Sequence, residues 1–261
     1  MMKRILALVV VVMLVFSFAA CGAKNLGTGK AGTFTVGFDQ NFPPMGFVDD
    51  NGEFTGFDIE LAKEVAKRLK LEIALQPIEW ASKDMELSAK NIDCVWNGFT
   101  INGREDSYTW SEPYMSNNQV FVVKADSGIK TLADLAGKVV VVQADSSAEA
   151  ALKDETSLVD SFGDYIKSAD YNTAIMDLEA GAVDAVAMDE IVANFQIEKR
   201  GLGLVVLEEK LAEEEYGVGF LLGNETLRDK VQKTLEDMAK DGTLASISDK
   251  WFGKDITTIG K

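Results

Sequence analysis

Histidine is absent from all 261 residues. That removes the commonest general base and the commonest zinc ligand, so His-containing triads and His-based metal motifs are excluded. Cysteine is limited to Cys21 and Cys94. Cys94 falls in the apolar run 92–96, where a free cysteine behaves as a small hydrophobe. Four prolines and no Pro/Gly-rich linker argue against two independent beads on a string. Basic residues are also scarce. Against 26 Lys and Arg stand 42 Asp and Glu, a formal charge of −16. Nucleic-acid phosphates demand Lys and Arg, so no nucleic-acid partner is expected. No catalytic residue, metal site or cofactor is assigned.

One long apolar run is present, at the N-terminus. Residues 1–4 are short and positive, 5–16 are unbroken apolar, and small residues lead to Cys21. The run through Ala20 is shorter than the roughly 20 apolar residues a spanning helix needs. Residues 1–20 therefore read as a secretory signal peptide. The segment Phe18-Ala19-Ala20-Cys21 resembles a bacterial lipoprotein box, although Phe18 stands where an aliphatic residue is more usual. The resemblance implies cleavage before Cys21 and lipidation of its sulfur, with the membrane touched through that anchor only. An uncleaved anchor and an ordinary signal are the alternatives. Residues 21–32 read as the lipidated Cys and a flexible tether. Loss of Lys3 and Arg4 takes the basic count from 26 to 24, and 24 − 42 gives −18. The mature chain is long enough for a large core or two lobes.

Strands and helices then alternate. Residues 33–38, 73–76, 92–96, 119–124, 139–142, 184–188, 204–207 and 216–222 read as strands, with a short extended piece at 54–57 and a weak strand at 158–162. Helices are expected at 58–69, capped by Asp58, and at 83–89, 146–152, 172–180, 190–199, 226–240 and 244–251, with a helical turn at 131–135. Such alternation argues an α/β fold. The two long apolar strands 119–124 and 216–222 divide the chain into three parts. If both cross between lobes, they form a hinge and one lobe is assembled from both ends of the chain. One larger sheet containing both strands is the alternative, and periodicity does not choose between them.

The stretch WNGFTINGREDSYTWSEPY, 96–114, carries the most chemistry. An apolar strand is expected to stop at Asn97-Gly98, and a polar loop follows with Thr100, Gly103 and Arg104. Gly98 and Gly103 allow close backbone approach and unusual dihedrals. Arg104 offers a planar fork suited to a carboxylate. An arginine on a solvated loop is the plainer reading of this segment alone.

The pieces VGFDQNFPPMGF, NGEFTGFDIELAKEVAKRL, NIDCVWNGFTINGRED, YTWSEPYM, DLAGKVVVVQADSSAEAAL, DLEAGAVDAVAMDE, EEYGVGF and the closing KWFG occur in order over residues 33–253. Together they resemble the bacterial extracellular solute-binding proteins of family 3, which serve ABC importers of polar amino acids. The resemblance implies a two-lobed type II periplasmic-binding-protein fold, a Venus flytrap. Each lobe is a mixed, mostly parallel sheet flanked by helices, and two strands form the hinge. It assigns 33–119 and 217–261 to a discontinuous first lobe and 120–216 to the second.

It also implies the site. Arg104 matches the arginine that grips an α-carboxylate, with the backbone N–H groups of Gly98 and Thr100 and the Thr100 hydroxyl assisting. Ser147 matches a second-lobe residue at a helix start, where N–H groups favour a carboxylate. Asp189 matches the acid that receives the α-ammonium. Phe42 and Trp80 match aromatic walls around the side chain, and Asp39 a position that meets its distal polar end. Plainer roles are loop packing for Phe42, core for Trp80, a turn cap for Asp39 and a helix N-cap for Asp189.

The departures concern the loop 100–104, one residue shorter than the commonest form, and Asp145, where many members have glycine. The Asp145 carboxylate either touches the ligand or merely restricts the loop. Gln143 and Met188 occupy uncharged specificity positions. The implied function is an extracytoplasmic, membrane-anchored monomer that captures a polar L-amino acid, an amide or basic side chain favoured, for an ABC permease and its ATPase. A cleft enzyme of the cyclic amino-acid dehydratase type and an amino-acid sensor lipoprotein are the alternatives.

Overall fold

The structure, a computed structural model, describes residues 32–201 and 203–261. The expected signal peptide, Cys21 and most of the tether lie outside the described residues.

In chain order, β1 (Thr33–Phe38) leads into three short strands, β2 (Asn41–Phe42), β3 (Gly46–Val48) and β4 (Phe54–Thr55). Helix α1 (Phe57–Leu69) returns the chain to β5 (Glu72–Pro77). A 3₁₀ turn at Trp80–Ser82 and α2 (Lys83–Ser88) precede β6 (Cys94–Thr100), β7 (Thr109–Trp110) and the ten-residue β8 (Met115–Lys124). A 3₁₀ turn at Leu132–Leu135 is followed by β9 (Val139–Gln143), α3 (Ser147–Asp154), α4 (Thr156–Val159) and β10 (Asp164–Ser168). Then come α5 (Tyr171–Ala180), β11 (Ala185–Asp189), α6 (Glu190–Arg200), β12 (Leu204–Val206), β13 (Ala212–Phe220), α7 (Glu225–Lys240) and α8 (Thr243–Phe252).

Two parallel triplets flank a pair of antiparallel strands. On one side β1 lies between β5 and β6. On the other β9 lies between β10 and β11. The four valines of β9 show the continuous apolar run of a strand covered on both faces. Between the triplets run β8 and β13, paired from Met115↔Tyr216 to Gln119↔Ala212. Past that overlap β8 continues against β11 and β12, and β13 against β6 and β7. Both strands lie in one continuous hydrogen-bonded sheet and run between the two triplets, the larger-sheet alternative. Apolar stripes seat the helices. In α7, Leu227, Val231, Leu235 and Met238 recur at helical spacing and are all buried.

Several local expectations are corrected. Asp58 does not cap α1. Gly56 holds that position, at φ 131°, where a Cβ would come within 2.3 Å of the Met45 carbonyl oxygen. Asp58 sits fully buried in the first turn of the helix. The strand expected to stop at Asn97-Gly98 runs on to Thr100, because Gly98 adopts φ 56° and takes up a register shift against β13. The weak strand at 158–162 is absent. Leu158, Val159 and Phe162 pack from a short helix and turn onto the core, and the strand is β10. Its sequence DYIKS has no fully buried residue, so the apolar signal of a strand is missing. The small sheet β2-β3-β4 was anticipated only at 54–57.

Candidate ligand site

The ends of β1, β6, β9 and β11 converge on a narrow cleft between the two halves. A cavity of only about 10 Å³ there, room for about one water, is lined by Asp39, Phe42, Trp80, Asn97, Gly98, Thr100, Gln143, Ser146, Ser147 and Asp189. Seven of the eight expected ligand residues line it. Arg104 instead borders the adjoining outer hollow, together with Lys83, Tyr108 and Asp145. Strand alternation sends Met188 into the core while Asp189 lines the cavity.

At the floor, Asp189 Oδ1 accepts from the Tyr216 hydroxyl at 2.6 Å and from Asn117 Nδ2 at 3.1 Å. Asn117 Nδ2 also donates to Glu214 Oε1 at 2.6 Å, and Gln119 Nε2 donates to the same oxygen at 2.8 Å. Thr100 Oγ1 donates to Glu214 Oε2 at 2.9 Å and lies 3.0 Å from Ser147 Oγ on the opposite wall. Asp189 occupies the N-cap position of α6, but its side chain makes no cap bond. Asn117 Oδ1 does this instead, accepting from Ile191 N. Burial, then the neighbouring Glu214 carboxylate, push Asp189 well above the usual carboxylate range.

At the far end, Asp39 Oδ2 accepts from Gln143 Nε2 at 2.8 Å, a bond between the halves. Asp39 Oδ1 also accepts from Asn41 N, so the turn-cap role coexists with a place in the cleft. Burial is the main cause that raises Asp39 to about 6. Phe42 stacks at 5.9 Å on Tyr171, and Trp80 meets Phe99 edge-on at 5.3 Å. Both aromatics therefore join the core with one face and the cavity with another.

The rim is held by one carbonyl. Asp145 stands at φ 57°, a left-handed conformation that Asp tolerates better than most residues. Its carbonyl oxygen accepts from Trp80 Nε1 at 3.2 Å and from Lys83 Nζ and Arg104 Nη2 at 3.3 Å each. Arg104 Nη1 donates to the Thr100 carbonyl at 3.3 Å, and its guanidinium lies over the Phe99 ring. Burial lowers the Lys83 ammonium from its ordinary value.

One assigned donor is redirected. The Gly98 N–H, expected to reach a ligand, donates at 2.6 Å to Asp58 Oδ2, which also accepts from the Tyr114 hydroxyl. Burial raises Asp58 to about 7. The residues not foreseen are Asn97, Ser146, Lys83, Asn117, Gln119, Glu214 and Tyr216. Of these, Glu214 had a usable signal. It shares strand parity with Tyr216, and Glu213 and Glu215 on either side are exposed.

Residues 34–254 match the family model of bacterial extracellular solute-binding proteins, family 3. The L-cystine-binding protein TcyJ of Escherichia coli K12 is 37% identical over 249 residues, 94% of this chain and 91% of that protein. The arginine-binding extracellular protein ArtP of Bacillus subtilis is 32% identical over 96% of this chain and 98% of its own. Among solved structures, a Streptococcus pneumoniae ABC uptake transporter substrate-binding protein with bound histidine has TM-score 0.84 at 34% identity. It covers 87% of this chain and 95% of that one. An ancestral arginine-binding protein bound to glutamine has TM-score 0.79 at 38% identity, over 86% and 100% of the two chains. These relatives are binding proteins of the type II periplasmic fold, not enzymes. With matches that span nearly its whole described length, the chain belongs to the bacterial extracellular solute-binding proteins, family 3.

Proposed function

We propose that the protein captures a polar L-amino acid between its two lobes and delivers it to an ABC importer, as an extracytoplasmic lipoprotein anchored through Cys21. The observation that carries this reading is the placement of opposite charges from opposite walls along one cleft. Arg104 stands at the rim on one wall, and Asp189 faces the floor from the other. A zwitterion satisfies both, which makes closure favourable only with ligand present. On this reading the carboxylate goes to Arg104, Thr100 and the start of α3 at Ser147, and the ammonium to Asp189. Phe42 and Trp80 wall the side chain. Asp39 already accepts from a Gln143 amide, so a ligand amide or cationic group suits the same oxygen. The relatives' ligands, cystine, arginine, histidine and glutamine, fall in this class.

The lobes comprise 33–119 with 217–261, and 120–216. They rotate about the crossing strands near 118–120 and 215–218, and the protein works as a monomer with a permease and its ATPase. The test is calorimetry against the proteinogenic amino acids and cystine, followed by solution scattering with the best binder. Submillimolar binding and a radius of gyration that falls on saturation are expected. No heat with any amino acid would sink the reading, and an unchanged radius would remove the hinge. Lipidation has its own check: Cys21→Ser is expected to release the protein from membranes, since dual acyl chains hold firmly and none remain. Unchanged membrane retention would count against the anchor.

A further inference from the structure

Asp189 is 3% exposed and Glu214 5% exposed, and a single amide nitrogen, Asn117 Nδ2, bridges the two carboxylates. Their other partners are neutral hydroxyls and the Gln119 amide. Among the described residues, neither forms an ion pair with Lys or Arg. Two carboxylates that share one donor, out of water and without a cation, repel one another. A proton or a cationic group relieves that repulsion.

We propose that Asp189 and Glu214 act as one unit that holds a single proton in the ligand-free protein and exchanges it for a ligand ammonium clamped between both carboxylates. The balance is simple. The protonated pair and an ammonium ligand become the deprotonated pair with its ammonium, and one proton passes to solvent. This rests on the amino-acid reading above and deepens it, because Glu214 becomes a second ligand-positioning acid. Glu214 stands just behind the cavity lining, where its Oε2 accepts from the cleft-lining Thr100 hydroxyl, and it also borders an outer hollow with Lys210. The raised position of Asp189, set by burial and then by Glu214, agrees with a retained proton.

The surroundings offer few other sources. Tyr216 on β13 and Tyr171 on α5 face Asp189, and burial pushes both phenols well above their ordinary value. Asn117 and Gln119 on β8, Thr100 on β6 and Ser147 on α3 do not titrate. Glu190, next on α6, is turned to Asn118. Asp39, raised to about 6, and the Lys83 ammonium at the rim, lowered by burial, are competing proton donors among the described residues. Because binding expels a proton, affinity rises with pH by up to about tenfold per unit until the pair loses its proton unaided, and is flat above.

The experiment is calorimetry with L-arginine and L-cystine as probes, in phosphate and in Tris, which differ in ionisation enthalpy. The wild type is expected to release up to about one proton per ligand. Glu214→Gln is expected to release fewer protons than wild type and to bind with a shallower pH dependence, since burial still acts on Asp189. Heat without proton release in the wild type overturns the proposal alone, and so does a Glu214→Gln variant that releases as many protons as wild type, which assigns them to Asp189 alone or to Asp39. No heat with any amino acid overturns the functional reading and this proposal with it. Should Glu214→Gln fail to fold, infrared difference spectra of the wild type and of Asp39→Asn replace it. Ligand addition should remove a protonated-carboxyl band in both, and its persistence in either overturns the proposal.

Discussion

At the cleft floor the charged groups are acids packed out of water and tied by hydrogen bonds of 2.6 to 3.1 Å. At the rim they are cations, Arg104 still half-buried, and their donors reach one backbone carbonyl at 3.3 Å. The difference shows which end is built in advance. Most of the floor groups, Asn117, Gln119, Glu214 and Tyr216, sit on β8 and β13, whose direct pairing from Met115↔Tyr216 to Gln119↔Ala212 fixes them relative to one another. The rim contacts join the halves, are long, and use a neutral acceptor. For an arginine fork, exchange of a carbonyl for a carboxylate adds an opposite charge and allows two parallel N–H···O bonds. On the proposed reading, the rim is therefore the part that a ligand remakes, and the floor the part that it finds ready.

The largest expected effect separates the two ends directly. Truncation of one partner of a buried charge pair costs about 2–5 kcal/mol of affinity, roughly a thirtyfold to several-thousandfold loss. Asp189→Ala is expected near the top of that range, since it also strips partners from Tyr216 and Asn117. Arg104→Ala is expected near the bottom, and Arg104→Lys is also expected to weaken binding, because a point charge does not copy a fork. Equal losses, or a larger one at Arg104, would reverse the comparison. Near-wild-type affinity of Arg104→Ala would place the carboxylate site elsewhere.

A second effect lies beneath the floor. Asp58 is raised from 3.8 to about 7 in the folded protein. A raised carboxyl binds its proton more tightly when folded, so its contribution to stability is full below the unfolded value and is lost as pH rises toward 7. The whole effect is a few kcal/mol at most, at about 1.4 kcal/mol per unit. Asp58→Asn keeps an acceptor for the Gly98 N–H and removes the titration. Its thermal midpoint is expected to fall less than that of wild type between about pH 4 and 7. Parallel curves for the two proteins would show that Asp58 does not set this slope.

The smallest effect concerns the rim. The Asp145 carbonyl, rather than its carboxylate, receives the three cross-cleft donors. Glycine keeps that carbonyl and adopts φ 57° without a Cβ penalty. Asp145→Gly is therefore expected to change affinity by less than about threefold and stability by less than about 1 kcal/mol. A loss of tenfold or more would mean that the carboxylate itself meets the ligand.

Much of the site was legible because motif order placed it. Asp39, Phe42, Trp80, Thr100, Ser147 and Asp189 all reach the cavity, and alternation along β11 separates Asp189 from Met188. What escaped has two causes. Gly98 has its N–H taken by Asp58, a contact 40 residues away that no local pattern encodes. Glu214 stands in an acidic run that reads as a solvated face, and its parity with Tyr216 becomes a signal only once the strand is extended back to Ala212.

The sequence by itself determined the α/β class, the order of the elements and the family, because hydrophobic period and motif order are properties of the chain. Only the tertiary structure decided that two acids 25 positions apart in the sequence, Asp189 and Glu214, share one amide donor, and that two crossing strands form a single hydrogen-bonded path. Both depend on strand register, which is set where distant segments pair and bury their side chains together.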